Sequence, residues 1–171
     1  MPSEKPERSA PIFVDTNVFV YATGSSEDEN DPKQRALQAA AKAIILALGE
    51  ERLHGVTSLV VFQEIVYLFR RFSRERRDKK LAQTGKKIVS EALTLMDEVY
   101  TPSLFEFSKA LASYESAKHD FNDLLIVEAM HSHGLSEILT ADRDYEQFEG
   151  IERVDPLKLE ERLRLKDKPK R

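Results

Sequence analysis

The sequence contains no cysteine among its 171 residues. This absence excludes disulfide bonds, thiolate metal sites and cysteine nucleophiles, and it permits a reducing compartment. The chain also lacks an apolar run close to the roughly 20 residues that span a bilayer. Its first ten residues, MPSEKPERSA, carry mixed charge and two prolines, whereas a secretory signal needs an apolar stretch. We therefore expect a cytoplasmic protein that makes no membrane contact.

An excess of positive charge is absent as well. Lysines and arginines number 26 against 30 aspartates and glutamates, which gives a formal net charge of -4 at pH 7. A protein that coats nucleic acid through charge alone would be basic over much of its surface. Any contact between this chain and a polyanion must therefore come from a local patch.

The length predicts one domain, because 171 residues with 41% hydrophobic content suffice for one core and rarely for two. The sequence shows no internal repeat and no linker long enough to divide the chain. Charged segments stand at both ends. We expect a flexible leader at residues 1–10, a folded domain at residues 11–156 and a charged C-terminal tail at residues 157–171.

Apolar runs with strand character alternate with segments of helical periodicity. This alternation predicts an α/β fold, in which helices on both faces cover a short parallel sheet. The strands are expected to begin at Ile12, near Val56, near Val99, at Ile138 and at Ile151. The expected helices are residues 32–51, 58–72, 78–98, 103–118 and 122–133, with a short helix through Phe148.

Four acidic residues stand in or beside apolar runs: Asp15 in IFVDTNVFV, Glu64 in LVVFQEIVYLF, Asp123 in FNDLLIV and Asp142 in ILTADRDY. A carboxylate removed from water is costly unless positive charge compensates it, so this pattern suggests a shared cation. All four are expected beyond the carboxyl ends of strands, where parallel sheets bind ligands. The pattern therefore predicts one metal-dependent active site.

Each acid alone also has a structural explanation. Asp15 could cap a turn before Asn17, and Asp123 could favour the positive end of its helix. Asp142 could likewise precede a short helix. Glu64 is harder to explain in this way, because the helix around it is apolar on nearly all sides. The joint pattern therefore carries more weight than any single acid.

The segments IFVDTNVF, TSLVVFQEI, NDLLIVEAM and LTADRDYEQFEGI resemble, in this order, the motifs of the PIN-domain ribonucleases, over about residues 11–154. Size and layout are most similar to the VapC-type toxins of toxin–antitoxin modules, although the interval from Asp15 to Glu64 is longer than in the compact toxins. The resemblance implies an endoribonuclease that hydrolyses RNA phosphodiester bonds with Mg²⁺ or Mn²⁺ as cofactor. It also implies a cognate antitoxin as partner and, as in many family members, a homodimer.

Site residues follow from the resemblance position by position. Four are implied as catalytic residues and metal ligands: Asp15, Glu64, Asp123 and Asp142. Four polar positions would orient the carboxylates or the substrate: Thr16, Asn17, Ser58 and Thr140. Asp144 matches a position that can act as an auxiliary acid. This oxygen-only ligand set suits Mg²⁺ or Mn²⁺, because hard divalent ions prefer oxygen.

A basic stretch follows Glu64 and carries nine lysines and arginines against two acids between Val66 and Ser90. Such a patch binds phosphates without reading bases. The alternative is a solvated helix face, which is the usual role of a charge run. The candidate RNA contacts are Arg70, Arg74, Arg76, Arg77, Lys79 and Lys80.

Other functions stay open at this point. Within the family, the chain could be a nuclease of RNA processing, or a non-catalytic scaffold that binds RNA or protein. An aspartyl-phosphate phosphatase or a receiver domain would also be acid-rich and α/β. The phosphatase pattern requires a second aspartate two residues after the first, where Asn17 stands, and a receiver usually begins with adjacent acids.

Overall fold

The structure is a computed structural model and describes residues 10–24 and 31–166. Within these residues, five strands form one parallel sheet in the order β3-β2-β1-β4-β5. The strands are β1 (Ile12–Val14), β2 (Gly55–Ser58), β3 (Glu98–Tyr100), β4 (Glu137–Leu139) and β5 (Glu152–Val154). The predicted parallel sheet, its helices on both faces and the α/β class are confirmed.

Seven α-helices and one short 3₁₀ helix complete the described part of the chain. The α-helices are α1 (Thr16–Ala22), α2 (Pro32–Gly49), α3 (Leu59–Glu75), α4 (Lys79–Leu95), α5 (Leu104–Tyr114), α6 (Phe121–Ser132) and α7 (Pro156–Lys166). The 3₁₀ helix is Asp144–Gln147. The five expected long helices are all present, with ends displaced by a few residues.

Local sequence explains where these helices begin. Asp31 accepts a hydrogen bond from the Lys33 amide, and Pro32 opens α2 with a backbone angle already suited to a helix. Asp78 caps α4 in the same way. At the start of α5, Ser103 and Glu106 form a reciprocal capping box. These caps satisfy amide groups that the first helical turn leaves without partners.

The central strands explain the apolar runs of the sequence. All residues of β1 and β2 are buried, as expected for parallel strands covered on both faces. Thr57 is tolerated inside this core because its hydroxyl donates to the carbonyl oxygen of Val14 at 2.9 Å. The strand order reverses direction between β1 and β4, and open parallel sheets bind ligands beyond the carboxyl ends of strands at such a reversal.

The C-terminal boundary differs from the expectation. Residues 157–166, expected as the beginning of a charged tail, belong to helix α7, which packs against α2. Its Leu159 and Leu163 are buried, and their spacing of four residues places them on one helical face. The folded domain therefore extends to Lys166 rather than ending at residue 156. Residues 167–171 and 1–9 of the expected tail and leader lie outside the described residues.

No helix in residues 10–24 and 31–166 is both long enough and apolar enough to cross a membrane. The apolar helix α6 has 12 residues and packs into the core through buried residues that include Ile126 and Met130. Its apolar character therefore serves the packing of the domain.

Candidate active site

The four predicted acids line one cleft at the carboxyl ends of the strands. Asp15 directly follows β1, and Asp142 lies in the loop after β4. Glu64 comes from the second turn of α3, and Asp123 comes from the first turn of α6. The cleft has a volume of about 420 Å³. Residues more than 120 positions apart thus meet, because parallel strands bring their carboxyl ends to the same edge of the sheet.

Asp15 is the best-supported of these carboxylates. It is 5% exposed and accepts three hydrogen bonds. The donors are the Thr16 amide at 2.7 Å, the Asn17 side-chain amide at 2.5 Å and the Thr140 hydroxyl at 2.7 Å. The Asn17 amide oxygen accepts from the Ala141 amide at 3.0 Å, which fixes the orientation of the Asn17 side chain. The loops after β1 and β4 are therefore joined through Asp15.

Burial changes the acidity of this carboxyl group. Removal from water, together with the negative charges of Glu64 and Asp123, raises the pKa of Asp15 from 3.8 to about 7. The hydrogen bonds from Thr140 and the Thr16 amide act in the opposite direction. Near neutral pH the site therefore accumulates negative charge that is poorly stabilised by the protein itself.

Glu64 and Asp123 also accept hydrogen bonds from neutral side chains. Glu64 accepts from the Thr16 hydroxyl and, at 2.8 Å, from the Asn122 side-chain amide. Asp123 accepts from the Tyr145 hydroxyl at 2.9 Å. Burial raises the pKa of Asp123, although the hydrogen bond from Tyr145 lowers it. Each carboxylate is thus oriented from one side by neutral donors.

The side chains that line this cleft are suitable ligands for a divalent cation. The four side chains offer only oxygen donors, and none of them forms an ion pair with a lysine or arginine of residues 10–24 and 31–166. In the same residues, no group of three or more His, Asp or Glu side chains is already arranged as a metal site.

Comparison with known proteins identifies the family. The model of the PIN domain family matches residues 12–151 of the chain. The chain belongs to this family. It is 26% identical over 143 residues to VapC ribonuclease Mb1869c of Mycobacterium bovis, which covers 84% of this chain and 98% of that protein. It is 25% identical over 147 residues to ribonuclease VapC7 of Mycobacterium tuberculosis, covering 85% and 91%. The predicted PIN resemblance is confirmed.

Solved structures support the same fold. DNA-bound VapBC from Salmonella typhimurium has a TM-score of 0.56 at 14% identity, over 86% of this chain and 99% of that chain. VapC20 of Mycobacterium tuberculosis, described as a sarcin-ricin loop cleaving toxin, has a TM-score of 0.54 at 16% identity, over 82% and 98%. Identities this low show that the PIN fold is shared and no more.

The five auxiliary residues predicted beside the four acids lie in different environments. Thr16, Asn17 and Thr140 all belong to the hydrogen-bond network around the acids. Ser58 is buried at the start of α3, and its hydroxyl has no hydrogen-bond partner among the described residues. Asp144 is exposed and does not line the cleft; its backbone amide donates to Asp142 at 2.9 Å. Three of the five auxiliary positions thus touch the acids through their side chains.

The predicted RNA-binding residues lie farther away. All six are exposed, on the last turns of α3, in the following turn and at the start of α4, and none lines the acidic cleft. Arg71 does line it, although the expected set did not include this residue. Arg71 reaches the cleft because it follows Glu64 by seven positions, which is two helical turns, and so lies on the same face of α3.

Sequence reasoning also missed three neutral or acidic neighbours of the PIN site. Tyr145 holds Asp123, Asn122 holds Glu64, and Asp120 lines the cleft at the start of α6. The signal for Tyr145 was its place at the end of the DRDY segment. Asn122 stands directly before Asp123, but nothing in the sequence indicates that its amide reaches across to α3.

Proposed function

We propose that this chain is a metal-dependent endoribonuclease and the toxin of a toxin–antitoxin pair. The observation that carries the proposal is the cleft in which four acids from four separate segments meet around the buried Asp15. Relatives named as VapC ribonucleases align with 84–85% of the chain, which supports RNA as the substrate. A cytoplasmic location follows from that substrate.

Asp15, Glu64, Asp123 and Asp142 would hold Mg²⁺ or Mn²⁺. When bound, such an ion supplies an activated water and neutralises charge at the phosphate. A carboxylate has about four lone-pair positions, and Asp15 uses three of them for protein donors, whereas Asp123 uses one for Tyr145. The acids therefore retain acceptor capacity for a cation after the network is satisfied.

The polar neighbours position these groups. Thr140 and Asn17 hold one oxygen of Asp15, and the Thr16 amide holds the other. The Thr16 hydroxyl links the same segment to Glu64. One short segment thus contacts two of the acids and keeps both side chains in the same cleft before any ion or RNA binds.

The catalytic part of the proposal is tested with Asp15→Asn. This change keeps the size of the side chain and removes one negative ligand, so RNA cleavage in Mg²⁺ or Mn²⁺ should be abolished while the fold is retained. Asp97→Asn is the matched control, because Asp97 precedes β3 at the opposite edge of the sheet. Cleavage by the wild type in the presence of a chelator would contradict metal dependence, and cleavage by Asp15→Asn at the wild-type rate would remove Asp15 from the site.

The toxin part has a separate test. The structures of similar fold include VapBC toxin–antitoxin complexes, which supports an antitoxin as partner and leaves a homodimer as a further expectation. Expression of the wild type in bacteria should stop growth, whereas Asp15→Asn at equal protein level should not. Co-expression of a small protein encoded beside this chain should restore growth. Normal growth at full expression of active nuclease would instead favour a role in RNA processing.

A further inference from the structure

A second cleft of about 560 Å³ adjoins the acidic one, between α3 and the beginning of α6. Glu64, Leu68 and Arg71 line both clefts, so the two spaces are continuous. Tyr67 and Gln63 line the second cleft but not the acidic one. A polymer bound at the acids would therefore extend along this face of α3.

Tyr67 is the most unusual residue of the second cleft. Its side chain is 76% exposed, and no hydrogen bond or ring contact joins it to another residue of ranges 10–24 and 31–166. Aromatic side chains usually bury a large apolar area, so a ring left open beside a charged cleft has no role in packing. Such rings are the surfaces on which unpaired bases stack.

Arg71 lies one helical turn beyond Tyr67 on the same face of α3. Its Nε is 3.6 Å from a carboxylate oxygen of Glu75, and both side chains are more than half exposed. An exposed pair of this kind contributes little to stability, so a phosphate can replace Glu75 at low cost. The guanidinium also lies 5.6 Å from the centre of the Phe72 ring, which helps to hold it at the cleft.

The charges divide the second cleft into two parts. Glu64 and Asp120 make the end near α6 negative, and Arg71 makes the other end positive. Tyr67 and Leu68 supply neutral surface between them. A phosphate is favoured only beside Arg71, and a base is favoured beside Tyr67. Arg71 follows Glu64 by seven positions, which is about 10 Å along the helix, so Arg71 would reach a different phosphate from the one at the acids.

We propose that Tyr67 and Arg71 form a binding subsite for an unpaired nucleotide that flanks the scissile bond. Tyr67 stacks on the base, and Arg71 binds the phosphate of that nucleotide. The inference rests on the proposed ribonuclease function and adds two residues of this chain, Tyr67 and Arg71, that bind the RNA beside the acids. A paired base cannot stack on Tyr67 in this way, because it is already enclosed in the duplex.

The test measures binding of a short, fluorescently labelled single-stranded RNA of mixed sequence. Asp15→Asn serves as the background, so that the RNA is not cut. Tyr67→Ala should weaken binding between about fivefold and a hundredfold, and Tyr67→Phe should bind like the background because it keeps the ring. Arg71→Ala should weaken binding and reduce the slope of log affinity against log salt by about 0.7. A duplex of the same sequence should bind less tightly and should not respond to Tyr67→Ala.

The matched controls are Tyr114→Ala on α5 and Arg35→Ala on α2, which are both exposed and line neither cleft. The inference is overturned if Tyr67→Ala binds RNA like Tyr114→Ala, or if Tyr67→Phe loses as much affinity as Tyr67→Ala. It is also overturned if Tyr67→Ala changes the sedimentation mass of the protein with no change in RNA affinity, since the surface would then be a protein contact.

Cleavage of the same RNA by protein with intact Asp15 separates this inference from the proposed function. If the wild type cleaves the RNA and the Tyr67→Ala and Arg71→Ala variants match their controls in KM, the subsite is wrong and the function stands. If the wild type binds RNA through Tyr67 without cleaving it in Mg²⁺ or Mn²⁺, the function is wrong and the subsite is supported. If the wild type neither binds nor cleaves, both are wrong.

Discussion

The hydroxyl of Tyr145 donates a hydrogen bond of 2.9 Å to Oδ1 of Asp123. Tyr145 is 2% exposed, and burial together with the nearby carboxylates raises its pKa well above the ordinary value. The phenol is therefore protonated at any physiological pH and always available as a donor. Because this bond lowers the pKa of Asp123 while burial raises it, the tyrosine keeps the carboxylate ionised at a lower pH than burial alone would allow.

Tyr145→Phe removes the hydrogen bond to Asp123 and should change both the folding stability and the pKa of Asp123. Loss of a hydrogen bond to a charged group is expected to cost about 1–3 kcal/mol of folding free energy. The pKa of Asp123 should rise, so the acidic limb of the cleavage rate against pH should move to higher pH. Denaturant unfolding and a pH–rate profile measure the two results. Tyr114→Phe, at an exposed position on α5, is the control. An unchanged acidic limb would show that Asp123 does not limit the rate.

Asp15 should make the metal-free protein less stable as the pH rises. Its pKa is about 7 in the folded state against 3.8 for an aspartate exposed to water, so the folded state holds the proton more tightly. The contribution to stability is fully present below the lower value and is lost as the pH rises through the upper one. The total loss is about 4 kcal/mol.

Asp15→Asn cannot ionise and should not show this loss. Urea unfolding in chelator, at several values between about pH 4 and about pH 8, should give a falling free energy of unfolding for the wild type and a flatter curve for the variant. The difference between the two curves isolates the ionisation of Asp15 from other titrating groups. Parallel curves would mean that the folded-state pKa of Asp15 is not raised.

Metal affinity should depend on pH for the same reason. A proton and a divalent ion compete for Asp15, so the affinity for Mn²⁺ should rise by up to about tenfold per pH unit below the pKa and level off above it. Calorimetric titration at several pH values measures this change, and release of a proton should appear as a dependence of the heat on the buffer. Equal affinity on both sides of pH 7 would show that Asp15 is not a ligand.

The positions of the acids could be predicted because sheet topology determines them. Asp15 and Asp142 each follow a buried strand, and parallel strands end at the same edge, so an apolar run followed by an acid is sufficient evidence for the placement. Glu64 could be placed because it is the only acid in the largely apolar stretch from Leu59 to Phe69. The contact between Tyr145 and Asp123 could not be predicted, since it depends on how a 3₁₀ helix turns one side chain.

Two helices were missed for different physical reasons. Helix α1 has seven residues, and its first turn coincides with the motif around Asp15, where the sequence also fits a simple turn. Helix α7 has a charged composition, and its buried Leu159 and Leu163 are too few to stand out. Its stability comes from packing on α2, and single-sequence periodicity does not report contacts between distant elements.

Gly85→Ala tests the packing between α3 and α4. A Cβ added at Gly85 would lie 2.6 Å from the Cβ of Phe69, which is fully buried and cannot move aside. The variant should lose at least about 1–3 kcal/mol of folding free energy through overpacking. Gly49→Ala is the control, because its added Cβ would meet Leu95 at 3.4 Å and alanine favours a helix. Equal stability of the two variants would mean that α4 is free to shift away from α3.

The part of the basic stretch that lies beyond Arg71 can be tested separately from Arg71 itself. Arg74, Arg76 and Arg77 are exposed and away from the acidic cleft. Their joint replacement by alanine should weaken RNA binding and reduce the salt slope by up to about 2, at about 0.7 for each lost phosphate contact. Metal affinity should stay unchanged, because none of the three lines the cleft that contains the four acids.

A second triple variant, Arg162→Ala with Arg164→Ala and Lys166→Ala on α7, removes the same number of positive charges from another exposed surface. RNA affinity across a salt series should be compared for both variants and the wild type. A smaller slope for the first variant alone places phosphates on the basic stretch that follows Glu64. If both triple variants reduce the slope equally, only the net charge matters, and the stretch is a solvated helix face.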